Sequence, residues 1–299
     1  MIRILHKTDF NFIKHRHLFF MISGLIILSG IISLAIKGVD LGLDFTGGTM
    51  MQVTFDKPVS TAELRSVLNA AKADATIQSF SGGTSYEIKV KGTQENVNEK
   101  AQEIEAALKN LPGGVTYTKD KQDYVGPVVG HDLAKKALFA IVLSMFCIIV
   151  YVAFRFSNPI WGIAGVVGLL HDVFVALTAM SLADREIDLV VVAAFLTIAG
   201  YSINDTVVIF DRMRENMRNF PKMPMGELIN LSINETLSRT VITTMTVFIT
   251  VLVLFLFGGS AINNFAFCML VGTVTGVYST VALCTPMVYQ WEHRGGRRK

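Results

Sequence analysis

The 299-residue sequence contains little charge. Asp, Glu, Lys and Arg together make up 17% of the chain, whereas hydrophobic residues make up 51%. Soluble domains of ordinary composition carry about 25% charged residues. Together with a mean hydropathy of +0.47, the shortage of charge favours a membrane protein over a soluble enzyme.

Several kinds of site are also missing. The net charge of +3 is too small to indicate nucleic-acid binding. The three cysteines lie inside apolar runs, without metal-ligand spacing, and their odd number does not indicate a disulfide framework. The glycine run 41–49 lacks the Gly-Lys-Ser/Thr ending of a phosphate loop, and no catalytic triad stands out. We therefore expect no enzyme activity, no metal and no cofactor.

Six apolar stretches are long enough to cross a bilayer, whose ~30 Å core needs about 20 helical residues. They cover residues 18–36, 137–154, 160–183, 187–210, 240–257 and 265–291. The last five form a predicted bundle over 134–291, followed by a basic tail at 292–299. Basic residues precede the first stretch and no small-residue cleavage site follows it, so we expect it to remain as an anchor rather than to be removed as a signal peptide.

The basic residues predict the orientation of the spans. If residues 1–17 lie in the cytoplasm, every connecting segment on that side carries Lys or Arg, whereas the short outer loops carry only Arg185. Cytoplasmic loops collect Lys and Arg in this way. The sequence therefore predicts a multi-pass membrane protein with both termini in the cytoplasm.

Residues 37–133, between the first two spans, have the composition of a soluble domain. The pattern predicts strands at 49–55, 75–80, 85–90 and 115–118, a first helix that begins after Ser60, and a second helix at 94–110. Ser60 and Glu63 form the signature of a capping box at the start of the first helix. This order of elements predicts a small ferredoxin-like α+β domain outside the cytoplasm.

Two glycine-containing segments join this domain to the membrane. The run 41–49 reads most simply as a flexible turn, with a specialised role as the alternative. Because glycine is conformationally permissive, we expect the linkers 40–49 and 125–132 to act as hinges. Their candidate residues are Gly42, Asp44, Gly47, Gly48, Gly126, Pro127 and Gly130.

Ionisable residues inside the spans are the candidates for chemistry, since a charge at the bilayer centre costs about 2.5–3.5 kcal/mol on insertion scales. His171 and Asp172 lie near the middle of the third span. Asp205 lies ~27 Å along the fourth span from its start, at a depth that Arg239 of the fifth span can reach. The alternative for this pair is a structural staple, with Ser202, Asn204 and Thr206 as interhelical hydrogen-bonding residues.

Several motifs together resemble the SecF family of accessory subunits of the bacterial Sec protein-export machinery, within the resistance–nodulation–division class. They are Leu41-Gly-Leu-Asp-Phe-Thr-Gly-Gly48, Val125-Gly-Pro-Val-Val-Gly130, Leu170-His-Asp-Val173, the long run 200–216, Glu235-Thr-Leu-Ser-Arg-Thr240 and Leu256-Phe-Gly-Gly259. The resemblance covers nearly the whole chain. The run through Asn204 and Asp205 is its most specific part.

The resemblance implies a function. Such a subunit works with SecD beside the SecYEG channel, with YajC as a further partner, and uses the proton-motive force in late steps of preprotein export. Asp205 matches the family's key intramembrane aspartate and Arg239 its basic partner, while Asp172, His171 and Asn204 lie near them on the implied proton path. As one six-span half of a larger machine, the chain is expected to turn Asp205 towards its partner.

Two alternative functions, and the identity of the coupling ion, remain open at this point. The chain could be a half-subunit of a small-molecule or lipid exporter of the same superfamily, although the outer domain is too small to enclose a drug chamber. It could also be a non-conducting scaffold. The carboxylates with a nearby asparagine suit H⁺ or Na⁺ as the coupling ion.

Overall fold

The computed structural model describes residues 8–71, 75–79, 83–91, 97–111, 114–156 and 158–296. Some sequence predictions fall outside these residues: the basic residues at 3, 7 and 297–299, the end of the strand predicted at 75–80, and the start of the helix predicted at 94–110. Within the described ranges, the chain forms one small sheet domain and one helical bundle.

Ten α-helices are present in the described chain. They are α1 (Arg16–Lys37), α2 (Leu43–Thr46), α3 (Thr61–Ala70), α4 (Val97–Lys109), α5 (Pro127–Arg155), α6 (Pro159–Leu182), α7 (Leu189–Asn219), α8 (Met225–Phe257), α9 (Ser260–Ser279) and α10 (Thr285–Gly296). A five-residue π-helix, Thr280–Cys284, joins α9 to α10. These three segments follow one another without a loop and together form the last long helix.

Six helices in the described chain are long and apolar enough to cross a membrane, as predicted; the last of them combines α9, the π-helix and α10. Three of them form the inside of the bundle: in their most apolar windows, 50% of residues in α6, 56% in α7 and 61% in the α9–α10 helix are buried by protein. The corresponding shares are 17% for α1, 6% for α5 and 11% for α8. The inner helices are therefore the ones that can shield polar groups from lipid.

Helices α7 and α8 continue beyond the apolar stretches that hydropathy detects. Helix α7 extends to Asn219 and α8 begins at Met225. Their extensions carry charged residues and pack against each other through buried Met213, Leu228 and Ile229. A helix is not obliged to end at the bilayer surface, because its own backbone bonds continue equally well in water.

The sheet domain has the predicted ferredoxin-like order of elements. Strands β1 (Gly48–Phe55), β2 (Ala75–Ser79), β3 (Ser85–Lys91) and β4 (Tyr117–Val125) form an antiparallel sheet in the order β2-β3-β1-β4. Strand β4 is longer than the predicted 115–118, because pairing with the whole of β1 extends a stretch that is too polar to be recognised from hydropathy.

One face of this sheet is covered by α3 and α4. Strand residues with almost no exposure pack against leucine and isoleucine side chains of the two helices: Met51, Val53, Tyr86 and Ile88 against Leu64, Leu68, Ile104 and Leu108. The predicted capping box is present, with the Ser60 hydroxyl accepting a 3.1 Å hydrogen bond from the Glu63 amide. Burial of these apolar side chains stabilises the packing of the two helices on the sheet.

The glycine segment, residues 40–49, has a folded backbone. Its Gly42 amide donates to the Ile187 carbonyl at 2.9 Å, and the Ile187 amide donates to the Asp40 carbonyl at 2.8 Å. Gly47 and Gly48 have φ of 75° and 149°, values that favour glycine. In this structure these glycines serve backbone geometry and close packing, while flexibility of the turn stays a prediction.

The second linker, predicted at 125–132, is almost absent. Strand β4 ends at Val125 and α5 begins at Pro127, so only Gly126 separates them. Gly126 has an extended backbone, and Gly130 already lies in the helix, where a Cβ would be 2.9 Å from the Phe45 carbonyl oxygen. The conformational freedom expected of a hinge is therefore not evident at either segment.

Candidate intramembrane carboxylate site

The Asp172 carboxylate is fully buried where α6, α7 and α9 meet. Its Oδ2 accepts hydrogen bonds from the Ser202 hydroxyl at 2.5 Å and from the Ser279 hydroxyl at 2.6 Å. Its Oδ1 lies 3.0 Å from Nδ1 of His171. One carboxylate thus holds together three inner helices through side chains that come from each of them.

These contacts offset the cost of burying an acid. A polar group without partners in an apolar interior is strongly destabilised, whereas a hydrogen bond to a charged group contributes about 1.5–3 kcal/mol. Removing one hydroxyl would leave a buried oxygen of Asp172 with fewer hydrogen-bond donors. The site is therefore sensitive to the relative positions of the three helices.

A π-helix begins immediately after Ser279. The Ser279 hydroxyl also lies 3.1 Å from the Gly276 carbonyl, and the neighbouring Thr280 hydroxyl lies 3.0 Å from that of Thr206 on α7. Isolated π-helical turns are frequent at functional sites because they change the direction of side chains without ending the helix. Here the π-helix directly follows the turn that supplies the second serine.

His171 extends the site towards the first helix. Its ring centroid lies 6.1 Å from that of Tyr278, whose hydroxyl donates to the Phe19 carbonyl at 2.8 Å and contacts the Ser23 hydroxyl at 3.1 Å. The Nε2 atom of His171 is buried and has no hydrogen-bond partner among the described residues. A histidine with one nitrogen on a carboxylate and the other unpartnered is suited to relay a proton.

Asp205 lies about one helical turn from Ser202, on the same side of α7. It is 4% exposed, so its side chain is turned into this chain and not towards a partner, contrary to expectation. The buried hydroxyls of Tyr201 and Thr244 lie near it, with Thr244 on the neighbouring α8 close to the carboxylate.

The predicted ion pair between Asp205 and Arg239 is not formed. Within the described residues, Arg239 is exposed and makes no ion pair within 4.0 Å, although it remains an electrostatic neighbour of Asp205. Arg212 pairs instead with Glu235 at 2.7 Å and with Glu215 at 2.6 Å. The prediction was wrong because Arg239 reaches the right depth but lies on the outward face of α8.

Asn204 also lies outside the buried site. It is exposed on α7, Arg239 is exposed on the neighbouring α8, and neither side chain hydrogen-bonds to a described residue. Exposed threonines on the same two helices, by contrast, donate to their own backbones, as Thr250 does to the Thr246 carbonyl at 2.9 Å. Asn204 and Arg239 are thus polar groups on the outside of α7 and α8 that have no side-chain partner among the described residues.

No group of three or more residues in the described ranges could hold a metal ion. The buried partners of Asp172 are hydroxyls, each already donating to its carboxylate, and an imidazole. Sequence reasoning found Asp172 and His171 but missed Ser279. The polar triplet 278–280, in the middle of an apolar stretch, was the signal that could have revealed it.

Comparison with known proteins places this architecture in a family. The family model described as "Protein export membrane protein SecD/SecF, C-terminal" matches residues 103–294, and the "SecD/SecF GG Motif" model matches residues 32–59. The protein translocase subunit SecF of Endomicrobium trichonymphae is 39% identical over 99% of this chain and 96% of its own. The SecF of Vibrio alginolyticus is 37% identical over 96% and 92%.

Solved structures agree with the sequence relatives. The crystal structure of SecDF from Thermus thermophilus, titled a translocon-associated membrane protein, superposes with a TM-score of 0.82 at 31% identity. The match covers 96% of this chain and 39% of that longer one. A SecDF structure in a "super-membrane-facing form" gives a TM-score of 0.73. This chain therefore belongs to the SecD/SecF family of protein export membrane proteins, and its full-length relatives are SecF subunits.

Proposed function

We propose that this chain is a subunit of the Sec preprotein translocase of the bacterial inner membrane. With SecD, beside the SecYEG channel and YajC, it uses the proton-motive force to promote late steps of preprotein export. The chain itself performs no catalytic step, and nucleotide hydrolysis belongs to another component. Membership of the family and the full-length SecF relatives support this role.

The observation that carries the coupling part of the proposal is the Asp172 site. A carboxylate that accepts hydrogen bonds from two other inner helices changes those contacts when it gains or loses a proton. Loss of the negative charge weakens the bonds from Ser202 and Ser279, because bonds to an ionised acceptor are roughly twice as strong as neutral ones. Proton binding is thereby converted into a shift between α6, α7 and α9.

Asp205 provides the second proton site, one turn farther along α7. The buried hydroxyls of Tyr201 and Thr244 beside it support a role in proton transfer. We propose H⁺ as the coupling ion because His171 contacts Asp172 directly and because the nearby serine hydroxyls already donate to the carboxylate. Na⁺ instead requires several free oxygen ligands.

The orientation follows from the basic residues. Nearly all of the Lys and Arg near the short connections lie at the chain ends, at the end of α5 (Arg155) and around the α7–α8 connection, whereas the opposite connections carry Arg185 alone. This distribution supports cytoplasmic termini and an extracytoplasmic sheet domain. The proton then moves down its gradient from the side of the sheet domain to the side of the termini.

The surface around Asn204 and Arg239 is the proposed contact with SecD. An amide and a guanidinium at membrane depth are costly against lipid, and interhelical hydrogen bonds can satisfy them. Their exposure on adjacent helices supports a partner helix with complementary polar groups. On this proposal SecD covers Arg239, and Asp205 acts on that charge from inside.

The test is Asp205→Asn, which keeps the shape of the side chain and removes its charge. In proteoliposomes with the whole complex, we expect loss of proton-driven stimulation of preprotein translocation. The control is Asp184→Asn, whose residue pairs with Lys37 in an exposed loop. Full stimulation in the Asp205 variant would contradict the proposal. A scaffold instead predicts lower complex stability with no change in proton dependence, and an exporter predicts transport of a small molecule without SecYEG.

A further inference from the structure

The glycine segment caps the helix that carries Ser202 and Asp205. The Asp44 carboxylate Oδ2 accepts a 3.0 Å hydrogen bond from the amide of Leu189, the first residue of α7. Asp188, the residue before α7, caps the same turn: its side chain accepts a 2.7 Å hydrogen bond from the Val191 amide. A carboxylate at a helix N-terminus is stabilised by the unpaired amides and the helix dipole.

The same segment is bound to the loop before α7 through its backbone. Leu41 and Ile187 form a parallel bridge, supported by the two hydrogen bonds that join Gly42 and Asp40 to Ile187. A Cβ on Gly42 would lie 3.2 Å from the Cβ of Asp188, which explains the need for glycine at this close approach. The bridge and the Asp44 cap therefore act on the same turn of α7.

A second contact joins the sheet to this loop independently. Lys89 of β3 lies 3.1 Å from Glu186 in the loop and 3.0 Å from Glu87 in the sheet, and both carboxylates are largely buried. Burial opposes the charge of Lys89, but the two glutamates outweigh it and raise the pKa of the lysine. A buried ion pair that loses one partner leaves a costly unpaired charge, so this contact resists separation.

The other side of the segment rests on the second membrane helix. Gly130 of α5 lies so close to the Phe45 carbonyl that a side chain does not fit without displacement. Strand β1 follows directly at Gly48 and leads into the centre of the sheet. The segment is therefore held between α5 and the loop before α7, while its own chain continues into the middle strand of the outer domain.

From these contacts we infer that Asp44 is a positioning residue that couples the fourth membrane helix to the outer domain, so that both move as one unit. The Lys89–Glu186 pair supports the same coupling at a second point. This inference rests on the proposed function, because it supplies the path by which a shift of α7 at Ser202 and Asp205 reaches the sheet. The segment acts as a stiff connection, whereas a hinge would absorb the shift.

The experiment compares Asp44→Ala with Asp44→Asn in the reconstituted translocase, measuring proton flux and proton-driven preprotein translocation in the same vesicles. Asparagine keeps an acceptor oxygen for the Leu189 amide, and alanine does not. The matched control is Asp40→Ala in the same segment, since within the described residues the Asp40 side chain makes only an exposed pair with Lys91. We expect the alanine variant at Asp44 to keep its proton flux and lose stimulation of translocation, with asparagine restoring most of it and the control behaving as wild type.

Retained stimulation in Asp44→Ala overturns the inference. Loss of proton flux in an assembled complex also overturns it, because Asp44 would then belong to the ion path and not to the coupling. If Asp44→Ala does not assemble with SecD, Lys89→Met takes its place in the experiment. Retained stimulation of translocation, or loss of proton flux, in that variant overturns the inference in the same way. The wild-type complex is measured first. If it shows no proton-driven stimulation of translocation, the proposed function itself fails, and this result is distinct from any effect of the variants.

Discussion

The Ser202 hydroxyl donates a 2.5 Å hydrogen bond to the Asp172 carboxylate, and so joins the third and fourth membrane helices at the most buried acid of the bundle. Ser202 lies one turn from Asp205 on α7. The two aspartates are therefore connected through one short stretch of helix. A change at either acid alters the position of the helix that serves both.

The serine donors should be needed for proton movement. Each hydrogen bond to a charged group contributes about 1.5–3 kcal/mol, so Ser279→Ala is expected to lower proton flux by roughly tenfold or more. Ser202→Ala should have a similar effect, and the double variant should lose nearly all flux. The measurement is pH-gradient decay in vesicles that contain the whole complex.

The matched control is Ser29→Ala. The Ser29 hydroxyl is exposed and donates to the Ile26 carbonyl of its own helix at 2.7 Å, so this variant should conduct as wild type. Normal flux in both Ser279→Ala and Ser202→Ala would mean that the hydroxyls only pack the helices.

Close packing of the inner helices predicts a second outcome. A Cβ on Gly272 of α9 would overlap the side chain of Ile198 on α7, so Gly272→Ala should destabilise the protein by about 1–3 kcal/mol through overpacking. Gly24→Ala on α1 is the control, since nothing lies within 4 Å of its Cβ position. Thermal unfolding of the purified protein should separate the two, and equal midpoints would show that α7 and α9 are not packed this closely.

The Lys89 contact should persist to alkaline pH. Because its pKa is raised in the folded protein, the charge of Lys89 stabilises the fold fully below the unfolded value of about 10.4, and its contribution is lost as the pH rises through the higher folded value. Hydrogen exchange of β3 should therefore be slower in wild type than in Lys89→Met from neutral pH to about pH 10. A difference that already disappears near neutral pH would contradict the buried ion pair.

The polar surface on α7 and α8 should contact SecD. A photo-crosslinking residue at Asn204 is expected to crosslink to SecD in membranes, because the exposed amide and the adjacent Arg239 need polar partners. The same residue at Phe139 of α5, which is 67% exposed and surrounded by apolar neighbours, should crosslink mainly to lipid. Crosslinking to lipid alone from position 204 would show that the surface is not an interface with SecD.

Some of this architecture was predictable from the sequence. Hydropathy detects spans because a membrane helix must satisfy its backbone internally and present apolar side chains. Alternation, the capping box at Ser60 and turn residues were enough for the ferredoxin-like order, since each is a local signal. The existence of a buried acid at Asp172 was predictable from the cost of placing it there.

The partners of the buried acids were not predictable in the same way. Sequence gives the depth of Arg239 along its helix but not the direction in which it faces, and so a pair with Asp205 was expected and not found. Ser279 was missed because a serine in a membrane helix commonly bonds to its own backbone and so does not by itself indicate a site. Glycine is ambiguous for a similar reason, since it permits both flexibility and the close approach seen at Gly42 and Gly130.

The most direct test of the central claim is Asp172→Asn, with proton flux and preprotein translocation measured in the same proteoliposomes of the complete translocase. Asparagine fits the space and can still contact Ser202 and Ser279, but it cannot carry the charge. The account predicts that proton flux and proton-driven stimulation are both lost while ATP-driven translocation and assembly with SecD remain. Wild-type flux together with wild-type stimulation in this variant would contradict it.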